Sequence, residues 1–391
     1  MPREETGVPA RRVREPHQNL EWKRTPVTST FTKHLNTQPL PDEQRERILA
    51  APGFGQYFTD HMVQIQWTGD VEAGTGQWGD PQLVPYGPLQ LDPAAAVLHY
   101  GQEVFEGLKA YRHDDGSVWT FRPEKNAARL NRSAQRLAMP ALPETVFMES
   151  LRELVGQDKD WVPTGDGQSL YLRPFMIANE TFLGVRPSRE VLYSVIASPA
   201  GNYFGEAKAV DIWLSRNWAR AGRGGTGNAK CGGNYAASLI AQMEGDAHNC
   251  QQVIFTDPDR DHAIEELGGM NVFFVFDDGT LLTPELTGTI LEGVTRDSII
   301  QLARDRGMNV EERAFTLDEW REGVASGRLT EVFACGTAAV ISPVGRLISD
   351  DETIGPDNAQ PGEVTMSLRQ ELLEIQTGRG EDRHGWLTRL A

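Results

Sequence analysis

Cysteine is scarce in this chain: three residues in 391, at positions 231, 250 and 335, with no C-x-x-C pair among them. That excludes a disulfide framework and a cysteine-built zinc site, and it fits a reducing cytoplasm; no metal site is expected. Basic charge is also short. Lys and Arg number 38 against 55 Asp and Glu, a formal net charge of −17. This balance argues against nucleic acid and against an anionic membrane surface as partners, because both attract cationic side chains. No apolar run approaches the roughly 18 residues of a spanning helix, and the longest, around Val272–Phe276, reads as a buried strand. The first twenty residues lack the apolar stretch of an export signal, and Glu4, Glu5 and Glu15 among their arginines count against a transit peptide.

What is present describes a globular protein long enough for two or three domains, with 39% hydrophobic and 24% charged residues. The expected class is α/β (α+β). Residues 1–40 are polar and proline-bearing and read as an arm, partly disordered. Residues 41–198 form a first α+β unit. Its strands are Phe58–Trp67, Ser117–Arg122, Ser169–Ile177 and Val191–Ser198, and Pro123 is placed to open a helix at its first position. Proline and glycine concentrate in SPAGNYFGEA, so residues 199–209 are the expected interdomain connection. Residues 210–391 form the larger unit. There, Asp277-Asp278-Gly279-Thr280 turns a hairpin, Ile299, Leu302 and Ala303 share a helix face, and Thr316-Leu-Asp-Glu319 is a capping box.

The most informative stretch is GRGGTGNAKCGGNYAAS, residues 222–238. Glycines on both sides of Lys230 let the backbone take positive φ and bring the amine against a ligand. A nucleotide-phosphate loop is excluded, because Cys231 follows the lysine where Ser or Thr is required. Three further elements are each ambiguous alone. Glu266 stands at the expected start of the NVFFVF strand, where a buried carboxylate needs a partner and an exposed one needs none. Gly293-Val294-Thr295 precedes a helix, as a phosphate site or an ordinary threonine cap does. Gly336-Thr337-Ala338 turns between two strands and offers free amides, as a plain hairpin also does. Together they supply an amine for an aldehyde, a carboxylate for a protonated ring nitrogen and two anion cradles. Pyridoxal 5'-phosphate asks for that set.

The chain resembles the branched-chain amino acid aminotransferases, fold type IV pyridoxal-phosphate enzymes, in ordered blocks from Phe54 to the C-terminus. These include LHYGQEVFEGLKAYR (98–112), FRPEKNAARLNRSAQRL (121–137), SLYLRPFMIANE (169–180), the lysine loop, ELGGMN (266–271), LEGVTR (291–296) and CGTAAVISPV (335–344). The resemblance implies a two-domain fold with its active site between the domains. Lys230 would bind the cofactor covalently and move the α-proton, Glu266 would meet the ring nitrogen and Tyr235 the ring hydroxyl. Arg122, Gly293, Val294, Thr295 and Thr337 would hold the phosphate. Tyr171, Thr337 and Ala338, with Arg173 nearby, would receive the substrate carboxylate. Phe54, Phe58, Tyr100, Phe105, Val185, Tyr203 and Ala338 would shape an apolar pocket, some across a homodimer interface. The implied reaction is reversible amino transfer between leucine, isoleucine or valine and 2-oxoglutarate. D-amino acid transamination and aminodeoxychorismate lysis on the same fold are the rivals, with a non-catalytic phosphate-ligand binder behind them. Ala339 and Ser342 stand where animal relatives carry a C-x-x-C redox pair, so no such switch is expected.

Overall fold

A computed structural model describes residues 30–201, 208–260, 262–357 and 359–391. Within them lie two sheets. The first runs in the order Thr32–Lys33, Gln82–Pro85, His61–Asp70, Glu190–Ala200, Ser169–Ala178, Leu108–Arg112, Val118–Phe121 and Leu387–Arg389. Neighbours on this path are antiparallel except the first pair. Pairing places Lys109 opposite Tyr171 and Tyr171 opposite Ser198. Since side chains two apart share a face, Tyr171 and Arg173 point the same way. Helices Pro123–Arg136 and Glu144–Gln157 cover this sheet, burying Leu130, Ala134, Phe147 and Leu151 against Ile65, Leu172 and Val195.

The second sheet runs Ala263–Leu267, Gln252–Asp257, Val210–Leu214, Val340–Ile348, Leu329–Gly336, Asn271–Phe276, Leu281–Thr283 and Val310–Glu312, with parallel and antiparallel pairs mixed. Both faces are covered, which explains the unbroken apolar run of Val272–Phe276. Val272 and Phe274 pack with Trp320 of helix Leu317–Ser326. Phe273 and Val275 pack with Ile299 and Leu302 of helix Val294–Asp305 and with Leu368 of helix Glu363–Gln376. The hairpin at Gly279, in the left-handed region at φ 83°, and the Thr316–Glu319 capping box form as their residues predict.

Several boundaries differ from the sequence reading. Thr32–Lys33 pairs beside Gln82 and Leu83 with Phe31 buried, so the end of the expected arm is docked. Pro199 and Ala200 continue a strand, and residues 202–207 of the expected connection lie outside the described residues. The last strand, Leu387–Arg389, leaves the second unit to pair with Val118–Phe121 in the first sheet. Glu266 does not begin the Asn271–Phe276 strand. It lies near the end of a separate one, Ala263–Leu267, because Gly268 and Gly269 break the run between them.

Candidate active site

Lys230 sits two residues before helix Gly232–Ala247, between buried Ala229 and Cys231. Its backbone is pinned on both sides: the amide donates to Ser133 Oγ at 2.9 Å, and the carbonyl accepts from the Phe105 amide at 3.0 Å. The side chain is thereby aimed. Nζ donates to the Tyr235 hydroxyl at 2.6 Å and lies 4.8 Å from the centre of the Phe105 ring. Tyr235 belongs to the first turn of the helix, so the sequence spacing of five becomes a direct contact. The flanking glycines serve close approach more than positive φ, which within this loop occurs only at Gly224. A Cβ on Gly227 would lie 2.3 Å from the Thr289 carbonyl oxygen, and one on Gly232 would strike the Glu103 carboxylate at 2.4 Å.

Glu266 is buried, contrary to a surface placement. Its carboxylate accepts from the Leu291 amide at 2.9 Å, from Asn271 Nδ2 at 3.0 Å and from Arg220 Nη2 at 2.9 Å. Burial pushes this carboxyl up to about 7 against the opposing pull of Arg220 and the Leu291 amide. A second positive charge facing it would favour the ionised form. Neither Arg220 nor Asn271 stands out in the sequence. Arg220 lies ten residues before the lysine in a loop where any arginine reads as solvated.

Helix Val294–Asp305 starts at Gly293, not at Thr295, and no side chain caps it. Gly293, Val294 and Thr295 line the cavity, so the first-turn amides and the positive end of the helix dipole face it. Thr337, Ala338 and Ala339 line the same cavity from the turn between strands Leu329–Gly336 and Val340–Ile348.

Arg122 is not part of this constellation. It precedes helix Pro123–Arg136 in the left-handed region at φ 49°, and its guanidinium turns to Ser298 at 2.7 Å, Asp297 at 2.5 Å and the Trp386 ring. Of the two arginines in residues 121–129, the one that reaches the cavity is Arg129, two turns into the helix. It forms a two-pronged pair with Glu106, both bonds 2.8 Å, and donates to the Glu292 carbonyl at 3.0 Å. Burial alone would raise the Glu106 carboxyl, but Arg129 and Asn126 hold it below the usual carboxylate range. The stripe Asn126, Arg129, Ser133 on an otherwise apolar face carries the signal that could have found Arg129: polar residues at spacings of three and four where the helix is buried.

The cavity, about 520 Å³, also takes in Phe54, Phe105, Tyr171, Arg173, Lys230, Tyr235 and Glu266. Phe54 meets Tyr171 edge-on at 5.1 Å, and the Arg173 guanidinium lies 4.9 Å over Phe105 and donates to the Tyr171 hydroxyl at 3.3 Å. The Arg173 Nε is buried and has no hydrogen-bond partner among the described residues. Gly107 makes room for Tyr171, since a Cβ there would meet the phenol oxygen at 2.0 Å. Phe58 instead stacks on Tyr86 at 4.9 Å, away from the cavity. Tyr100 and Val185 are not in its wall and are exposed, Val185 by 87%. Tyr203 lies outside the described residues. Among those residues no cluster of His, Cys, Asp or Glu is arranged to hold a metal ion, and no helix is long and apolar enough to cross a membrane.

Residues 103–347 match the family model described as amino-transferase class IV. A branched-chain-amino-acid aminotransferase of Mycolicibacterium smegmatis is 57% identical over 365 residues, covering 92% of this chain and 98% of that protein. Two structures of a branched-chain amino acid aminotransferase from T.th. have the same fold. The one with pyridoxamine 5'-phosphate is 31% identical, with a TM-score of 0.68 over 86% of this chain and 100% of that one. The one complexed with N-(5'-phosphopyridoxyl)-L-glutamate is 30% identical, with a TM-score of 0.67 over the same shares.

Proposed function

The chain belongs to the class IV amino-transferase family, and from that premise we propose a fold type IV branched-chain amino acid aminotransferase that exchanges amino groups between leucine, isoleucine or valine and 2-oxoglutarate. The observation that carries the reading is the convergence on one cavity of the Lys230 amine, the buried Glu266 carboxylate and an uncapped helix N-terminus. These groups fit pyridoxal 5'-phosphate. Bound there, the cofactor supplies an aldehyde to a lysine amine and a ring that accepts the electron pair left when an α-proton departs.

The chain's own residues do the rest. Lys230 would hold the cofactor through its amine, and the same Nζ, kept in place by the Tyr235 hydroxyl, would take the α-proton and return it. Glu266, kept in position by Arg220, Asn271 and the Leu291 amide, is the counter-charge for the ring nitrogen. The amides of Val294 and Thr295, with Thr337 and Arg129, form the phosphate cradle; Arg129 takes the place that the resemblance gives to Arg122. Tyr171 and the Thr337-Ala338 turn receive the α-carboxylate. Arg173, a guanidinium with an unpartnered Nε in the cavity wall, suits the second carboxylate of glutamate. Phe54, Phe105 and Met270 give aliphatic side chains an apolar wall.

The same reading makes the two sheets two domains meeting at the cavity, and the chain a homodimer. Leu98, Tyr100, Phe182, Leu183 and Val185 form exposed apolar surface on two neighbouring segments, joined by a hydrogen bond from the Tyr100 hydroxyl to the Leu183 carbonyl. Such a patch fits an interface that brings Tyr100 and Val185 to a partner's cavity. Three buried free cysteines suit a cytoplasmic protein.

Initial rates with 2-oxoglutarate as acceptor test the substrate: L-leucine is expected to outrun D-alanine, and the reverse order refutes the reading. Borohydride reduction followed by mass spectrometry tests the anchor. The cofactor mass is expected on the peptide carrying Lys230 and absent from Lys230→Ala.

A further inference from the structure

Behind the Thr337–Ala339 turn lies a second cavity, of about 280 Å³, sharing only Ala338 and Ala339 with the first. Its charged lining comprises Lys109, Asp166, Lys208, Arg369, Glu374 and Arg379. Lys109 comes from strand Leu108–Arg112 and is 7% exposed. Its ammonium donates to the Ala338 carbonyl at 2.8 Å, and no carboxylate pairs with it among the described residues. Arg369, on helix Glu363–Gln376, has a buried Nε with no acceptor among the described residues. The two carboxylates of the lining are engaged by other residues of the same wall: Asp166 accepts from Arg379 at 3.0 Å, and Glu374 from Gln370 at 2.7 Å.

Lys109 and Arg369 therefore enter one cavity, and neither is ion-paired to a carboxylate among the described residues, in a chain whose net charge is −17. The strain shows in both groups. Burial, and then the charge of Arg369, pushes the Lys109 ammonium down to about 8, and burial lowers the Arg369 guanidinium from its ordinary value. Buried charges are ordinarily paired, and a like-charged pair is the arrangement that most needs an anion. We propose that this cavity is a binding site for a small oxyanion, phosphate or carboxylate, held between Lys109 and Arg369 on the reverse side of the turn that lines the active cavity. The planar guanidinium presents donors to two oxygens, and the ammonium supplies a point charge opposite. Because Lys109 also holds the Ala338 carbonyl, an anion there touches the turn through one side chain.

The site stands apart from the active-cavity reading, since Arg369 lines only the second cavity. The test titrates inorganic phosphate, against sodium chloride of equal ionic strength, into protein saturated with pyridoxal 5'-phosphate and 4-methylvaleric acid, so that both anion cradles of the active cavity are filled. Isothermal calorimetry is expected to show one phosphate per chain. Arg369→Gln is expected to weaken binding by about tenfold or more, and Arg369→Lys, which restores a charge, to recover part of it. Arg369 is half-buried on a helix, and thermal melting of each variant establishes that it is folded. Absence of phosphate binding to the wild type up to about 10 mM, or equal affinity in a folded Arg369→Gln, overturns the proposal. Failure of the protein to take up pyridoxal 5'-phosphate would count against the enzyme reading alone; the Arg369 comparison would still decide the second cavity.

Discussion

The Lys230 Nζ and the Tyr235 hydroxyl lie 2.6 Å apart, five residues from each other in a chain that has just entered a helix. The contact orients the amine. Tyr235→Phe is expected to keep the cofactor bound but to shift its absorption band and slow turnover. Loss of a hydrogen bond to a charged group is worth about 1.5–3 kcal/mol, or about 10- to 100-fold in rate. Absorbance spectra and single-turnover kinetics with L-leucine check both effects.

The two arginines of FRPEKNAAR separate cleanly. Arg129→Gln strands the Glu106 carboxylate, which is wholly buried, and is expected to cost about 3–5 kcal/mol of stability and to weaken cofactor binding. Arg122→Gln, whose partner Asp297 is half-exposed, is expected to cost about 1–2 kcal/mol and to leave cofactor affinity unchanged. Urea unfolding and cofactor titration distinguish the pair. Equal effects on cofactor affinity would remove Arg129 from the cradle.

Glu266 makes the cofactor-free protein pH-sensitive. Its carboxyl is raised by burial from 4.5 to about 7, so the stability it contributes is fully present below its unfolded value and is lost as pH rises through about 7. Glu266→Gln stays neutral throughout. In the cofactor-free state the variant is expected to gain stability relative to wild type between pH 5 and pH 8, by up to about 3 kcal/mol. In the loaded state the order reverses, because the counter-charge is gone. Melting temperatures of both forms across that range check the crossing.

Interface and cap give two controls. Val185→Asp places a charge in the exposed apolar patch and is expected to leave a monomer with little activity, read by sedimentation velocity. Thr316→Ala removes a cap whose hydroxyl accepts from the Glu319 amide at 3.2 Å, and is expected to cost about 0.5–2 kcal/mol. Its KM for L-leucine should not move, because Thr316 lies outside the active-cavity wall.

Local chemistry explains which parts are legible in the sequence. Pro123, the Asp-Asp-Gly-Thr hairpin and the Thr316 capping box act within a few residues, and each element begins or turns where its residues say. Helices Asp42–Ala50, Glu144–Gln157 and Glu363–Gln376 carry no such local mark. The last two carry an apolar stripe at helical spacing, Phe147, Leu151 and Leu154 in one and Leu368, Leu372 and Ile375 in the other, that marks the helix but not its ends. A lysine between two glycine clusters is by itself most often a solvated loop residue, and the loop can be read because Glu266 and two glycine-threonine segments accompany it in ordered blocks. Arg122 lies outside the cavity wall and Arg129 within it for a reason of geometry: a residue outside the helix and one two turns inside it face different neighbours, and spacing alone does not choose between them.

The class of protein and the kind of cofactor its family uses are legible in the chain through the ordered blocks of the resemblance, and the lysine loop is marked by its flanking glycines. Folding in three dimensions decides which carboxylate is buried, which arginine reaches the cavity and that Arg220 and Asn271 hold Glu266 in place. It also puts two cations behind the Thr337–Ala339 turn. Desolvation and pairing depend on what surrounds a charge, and the surroundings come from strands and helices far apart in the chain.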